Sequence, residues 1–205
     1  MLSYDVKNFL EENMSLIDAE KFTTLYDMAL GTNGVQNVGE LTDAFLQAGI
    51  NPLETLTSVP PLYLDHSVLT TFVVPAHIES LRKSAFSFAV NLKSITLHDT
   101  CELPPNCFSM SGIEELIVPK IMIEIPDDCC FGCKHLAHVD LANIEVIDSG
   151  AFALCDSLKE LRIPDSVMYI SPTAFDDTDV TLIIDATNEY VKNFAEEYNI
   201  KVQIV

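Results

Sequence analysis

The chain of 205 residues is 48% hydrophobic and 20% charged, enough for one core with a small appendage and far from a disordered composition. Its 31 acidic against 11 basic residues give a net charge of −20. No Lys/Arg cluster is available for phosphate contacts, which argues against direct nucleic-acid binding, and the acidity argues against docking on anionic membranes.

The first residues show no basic stretch followed by an apolar one, and no apolar run approaches the roughly 18 residues of a membrane span. The expectation is a cytoplasmic protein whose six cysteines are thiols.

Residues 1–64 read as helical. Ser3 caps a helix carrying Val6, Phe9 and Leu10, and Asp18 caps a second with Phe22, Leu25, Tyr26 and Ala29, ended by Gly31. A third spans about residues 40–48 with Leu41, Ala44, Phe45 and Ala48 on one face, stopped by Gly49 and Pro52. The stretch 57–64, TSVPPLYL, reads as a proline-rich hinge. This part is either an N-terminal cap or a small module with its own partner. The charge divides as −7 over residues 1–64 and −13 over 65–205, so acidity marks neither part.

From there the chain repeats itself. The pairs Ala85-Phe86, Cys107-Phe108, Cys129-Cys130, Ala151-Phe152 and Ala174-Phe175 recur in steps of 22, 22, 22 and 23 residues. Four positions before each pair stands an aliphatic residue: Leu81, Leu103, Ile125, Ile147 and Ile170. After each comes an apolar ladder such as Ile113/Leu116/Val118 or Leu158/Leu161/Ile163, with Pro75, Pro119 and Pro164 at strand exits. A repeat of this length cannot bury its own apolar face, so stacked copies share one core. Each ladder segment then adds one short parallel strand, and the Ala-Phe stretch crosses the other side as turns.

The register also decides how to read the densest chemical motif, Cys130-x-x-Cys133-x-His135. Cys129 and Cys130 fall on the Ala and Phe positions and Cys107 on the Ala position, while Cys133 and Cys155 are one repeat apart. Buried cysteines of this kind pack as small hydrophobes with raised pKa values. One strand spacing also allows Cys107/Cys129 or Cys133/Cys155 bridges, with reduced thiols favoured. At the far end, Thr187 or Asn188 caps a helix with Val191, Phe194, Ala195 and Tyr198 along one stripe. Asn199 follows in the left-handed position and a last strand covers 200–205, giving a C-terminal cap at about 186–205.

The pattern in IPDSVMYISPTAF (163–175) and IDSGAFALCDSLKELRIP (147–164) resembles BspA-like leucine-rich repeats, and TLIIDATNEYVKNFAEEYNIKV resembles the strand-plus-helix ending of such arrays. The resemblance covers about residues 68–205. It implies an α/β repeat solenoid with a parallel β-sheet of about five coils. It also implies a binding role, since such repeats are best known from surface adhesins and related binding proteins. A short version with a helical N-terminal segment looks like small repeat proteins of bacteriophages, which implies an inhibitor or accessory factor acting on a host protein.

No phosphate loop, nucleophile elbow or zinc-protease motif is present, the histidines (66, 77, 98, 135, 138) form no i, i+4 pair, and no cofactor is implied. Glu114 and Glu115 are adjacent along one strand and should face opposite ways, so they make no acid–base pair. The acidic turn 176–179, DDTD, reads as solvated. The expectation is a non-enzymatic protein-binding module that uses the outward residues of the sheet. These are Ser94, Glu115, His138 and Glu160 in one row, and Thr96, Ile117, Asp140 and Arg162 in the next. Ile117 and Arg162 stand out as anchors. The alternatives are an acidic nucleic-acid mimic that blocks a basic DNA- or RNA-binding site, and a surface adhesin-like protein.

Overall fold

The computed structural model describes residues 37–47, 49, 51–54 and 56–205. The two helices expected before residue 36 lie outside the described residues. In chain order come α1 (Val38–Gln47), a 3-10 turn (Pro52–Glu54), β1 (Ser58–Val59), β2 (Thr71–Val73), β3 (Ser80–Leu81) and β4 (Ser94–Thr96). Next are β5 (Glu115–Ile117), β6 (Glu124–Ile125), β7 (His138–Asp140), β8 (Val146–Ile147), β9 (Glu160–Arg162) and β10 (Tyr169–Ile170). The chain closes with β11 (Thr181–Ile184), α2 (Glu189–Glu197) and β12 (Lys201–Ile204).

All strand pairs among the described residues are parallel, and they form two columns. The long face carries β2–β4, β5–β7 and β9–β11–β12, with β5 beside β4 and β9 beside β7. The expected five coils are therefore an undercount: this face has seven strands among the described residues. The middle residue of each strand points inward, and Leu116, Leu161 and Leu182 are buried at 1% exposure or less.

The second column was not expected as strand at all. The aliphatic residues four positions before the Ala-Phe pairs lie in it, as β1–β3 and β6–β8–β10, in register Val59↔Leu81 and Ile125↔Ile147↔Ile170. It breaks between β3 and β6 because the intervening copy reads Leu103-Pro104-Pro105, and proline has no N–H to give a ladder. The Leu103 amide faces the Met122 sulfur instead, at 3.3 Å.

The stretch 57–64 is not a hinge. Val59 pairs with Leu81, and Tyr63 N–H donates to the Ala85 carbonyl at 2.8 Å, so Tyr63-Leu64 takes the Ala-Phe place in an additional first coil. The solenoid thus begins near residue 58 and not at 65. On it sits α1, within two residues of its expected start, burying Leu41 and Phe45. Thr42 Oγ1 donates to the Tyr63 carbonyl (2.9 Å), and the Asp43 carboxylate accepts from Ser67 Oγ (2.6 Å) and Val68 N–H (2.8 Å). Gly39 lets the helix close in, for a Cβ there would lie 2.1 Å from the Asp65 carbonyl oxygen.

The turn side is periodic. Each coil crosses it with a left-handed residue two positions after the Ala-Phe pair (His66, Phe88, Met110, Gly132, Leu154, Asp177), and all of these coils but the last have a second one just before the pair (Leu62, Ser84, Asn106, Asp128, Gly150). The Phe column is stacked, Phe86 on Phe108 at 5.7 Å and Phe152 on Phe175 at 6.0 Å, with Cys130 between the two pairs. The C-terminal cap forms as read. Asn188 Oδ1 accepts from Val191 N–H at 3.1 Å, Asn199 has φ of 55°, and Val191, Phe194 and Ala195 are buried, although Tyr198 remains 38% exposed.

Candidate functional site

The cysteines belong to the packing. All six are buried free thiols, and the two bridges that strand spacing allows are not made. Their arrangement has a purpose that spacing did not reveal. Cys133 Sγ donates to the Phe108 carbonyl at 3.0 Å, Cys155 Sγ to the Cys130 carbonyl at 3.2 Å, and Thr178 Oγ1 to the Phe152 carbonyl at 2.7 Å. A small donor three residues after the Phe position thus reaches back to the Phe-position carbonyl of the preceding coil, which at Phe108 and Cys130 also accepts from the backbone N–H of Ser111 and Cys133. The signal was in the column Ser111, Cys133, Cys155, Thr178, all of them donors.

Burial pushes the Cys107 and Cys155 thiols well up, and hydrogen bonding with Cys129 and Cys133, followed by burial, does so for Cys130. These thiols are poor nucleophiles. Cys101 lies 3.1 Å from His98 Nε2, but burial raises it too. Cys133 goes the other way: burial pushes its thiol up, but hydrogen bonds with Cys130 and Ser111 bring it below its ordinary value. Among the described residues no group of three or more His, Cys, Asp or Glu side chains is placed to hold a metal ion.

The long face is different. Alternation sends every second side chain of a strand outward, and register assembles these into rows. Glu115 stands beside His138, Ile117 beside Asp140, Glu160 beside Thr181, and Arg162 beside Ile183. Over β5, β7 and β9 the face sinks into a depression of about 500 Å³, and all six of Glu115, Ile117, His138, Asp140, Glu160 and Arg162 line it. A second depression of about 440 Å³ adjoins it at Asp140, Ala142, Arg162 and Pro164. Ser94 and Thr96 are on β4, paired with Thr71 and Val73, and do not line either depression. Ile183 and Lys159, which sequence reasoning missed, do line the first.

Two details of charge go beyond the sequence reading. Arg162 is not a free cation, since its guanidinium lies 3.6 Å from the Asp185 carboxylate. Glu114 stands just before β5 and does not point into the core; it is exposed and lies 3.2 Å from Lys93. Ile117 is 68% exposed, while its neighbour Leu116 is 1% exposed. A large apolar side chain thus stands in water at a position that the core does not use.

A family model described as the BspA type leucine rich repeat region matches residues 57–181 in six copies. The chain belongs to this family. The match starts at the first coil, where β1 begins. Among solved structures, the chain is similar to a leucine-rich repeat protein from Bacteroides ovatus at 18% identity and a TM-score of 0.49, covering 74% of this chain and 46% of that one. It is also similar to a leucine rich cell surface protein from Faecalibacterium prausnitzii at 13% identity and a TM-score of 0.28, covering 66% of this chain and 60% of that one. The chain thus spans less than two thirds of either protein. No curated protein matches it. The repeat fold is one that serves protein-interaction and surface modules. No helix among the described residues is long and apolar enough to cross a membrane.

Proposed function

We propose that the chain is a non-enzymatic binding module that holds a protein partner in the depression over β5, β7 and β9. The observation that carries this reading is Ile117. It is 68% exposed, has no role in the core, and lines a depression of about 500 Å³ together with the carboxylates of Glu115, Asp140 and Glu160. Three carboxylates there face two cations, Lys159 and Arg162, and Arg162 also lies 3.6 Å from Asp185, so the balance of the depression is acidic. The partner that fits is a basic protein segment with an apolar side chain to set against Ile117 and Ile183. An inhibitory or accessory role toward a host protein is a form of the same reading.

Blocking a basic nucleic-acid site is supported less well. Such mimicry asks for carboxylates in an unbroken row, and here they alternate with Ile117, His138 and Arg162.

The test is capture on the immobilised chain, wild type against an Asp140→Lys, Glu160→Lys variant. The reading expects a partner whose binding weakens with salt and falls at least about tenfold in affinity on the variant, at equal stability. Capture of the same partner with the same affinity and salt sensitivity by both proteins overturns it.

A further inference from the structure

The two strand columns end differently. At β10 the Ile170 N–H donates to the Tyr190 hydroxyl of α2 at 2.8 Å, so the helix seals that edge. On the long face β12 is the last strand, paired with β11 on one side and with no other strand among the described residues. Val205 N–H donates to the Ile184 carbonyl at 3.0 Å. Backbone alternation then leaves the N–H and C=O groups of Val202 and Ile204 on the outer edge. Ile204 is the register partner of Ile184 and faces the core side, yet it is 55% exposed where Ile184 is 0%. Beside it an open groove of about 500 Å³ is lined by Ala195, Ile200, Val202 and Ile204 together with Lys192, Glu196 and Asn199.

Natural edge strands are blunted by free charge, proline or a bulge. Residues 200–205, IKVQIV, have none of these: there is no proline or glycine, and the single charge, Lys201, is held by Asp179 at 2.7 Å. Four Ile/Val residues among six make this a self-pairing composition. Charge points the same way. Residues 186–205 contain two lysines and three glutamates, a net −1 out of the chain's −20, so a second copy meets little repulsion at this end.

From this edge we infer that the chain forms a two-fold dimer in which β12 pairs antiparallel with β12 of a second copy, about an axis at Gln203. Val202 then stands opposite Ile204 of the other copy in hydrogen-bonded pairs, which use the outward backbone groups. Their side chains close the exposed end of both cores, and the two Gln203 amides meet on the long face. Such pairing consumes the edge, so assembly stops at two.

Sedimentation velocity on the 205-residue chain, from low micromolar to near-millimolar concentration, tests this. The expected result is a reversible monomer–dimer equilibrium. Ile204→Pro removes an outward N–H without costing a bond to β11, and Ile204→Lys keeps the N–H but sets like charges together. Each should weaken dimerisation at least about tenfold at an unchanged melting temperature, while Ile117→Glu should dimerise like the wild type. A wild-type monomer throughout, a folded Ile204 variant that dimerises as well as the wild type, or growth beyond two copies overturns the proposal. The inference is independent of the partner site.

Discussion

The turn side and the long face of the solenoid are built from the same repeat under opposite constraints. On the turn side almost every position answers to its counterpart one coil away: a left-handed residue, a small residue, a Phe that stacks, a donor that reaches back to a carbonyl. On the long face the inward residue of each strand is fixed by the core, and its outward neighbours answer only to what lies outside. The difference teaches where to look for function in a repeat protein. A position with a structural duty in every coil is poor evidence for chemistry, however reactive its residue type, whereas an apolar residue at a position without such a duty is informative.

The largest effect expected from breaking this contrast is in the Phe column. Phe152 is fully buried and stacked on Phe175, so Phe152→Ala should cost about 3–5 kcal/mol through lost burial and an unfilled cavity, read by denaturant melts. A loss below about 1 kcal/mol would mean that the column is not the spine of the core.

A smaller loss belongs to the reaching-back donors. Cys155→Ala leaves the Cys130 carbonyl without its thiol partner and should cost about 1 kcal/mol, and Cys155→Ser should recover part of it. Equal losses for Ala and Ser would show that the thiol matters for its volume alone.

The smallest expected effect on the turn side is a gain. Burial, and then the hydrogen bond to the Asp148 carboxyl, raises the Glu124 pKa above its ordinary value. A carboxyl raised in the folded state favours folding below its ordinary pKa, and this contribution is lost as pH rises through the raised value. At neutral pH the pair is therefore a mild liability. Glu124→Gln should raise the melting temperature by roughly 1 °C there, because the site is mostly exposed, and the gain should vanish in acid. A gain that persists unchanged at low pH would remove the charge explanation.

The sequence carried the Ala-Phe column and the outward rows because both follow from fixed periods: 22 to 23 residues along the chain, and two along a strand. It did not carry the second strand column, whose two-residue strands expose no alternation to read. The first coil was hidden because Tyr63-Leu64 replaces Ala-Phe and Pro60-Pro61 looks like punctuation. The last coil was legible as a helix and a strand but was read as a cap and not counted as a coil, because α2 stands where the turns would be. Of the candidate site, the six residues over β5, β7 and β9 could be read from register. The Asp185 partner of Arg162 could not, since it enters from the exit of the next strand, and neither could the depression itself.

The contrast between the two sides is tested most directly on the long face with the Ile117→Glu, Arg162→Glu double variant, measured for both melting temperature and partner affinity. The account predicts a melting temperature within about 1–2 °C of the wild type, as for exposed positions, together with loss of the captured partner. An unchanged melting temperature with the same partner held at the same affinity would contradict it, placing the binding surface elsewhere on the molecule.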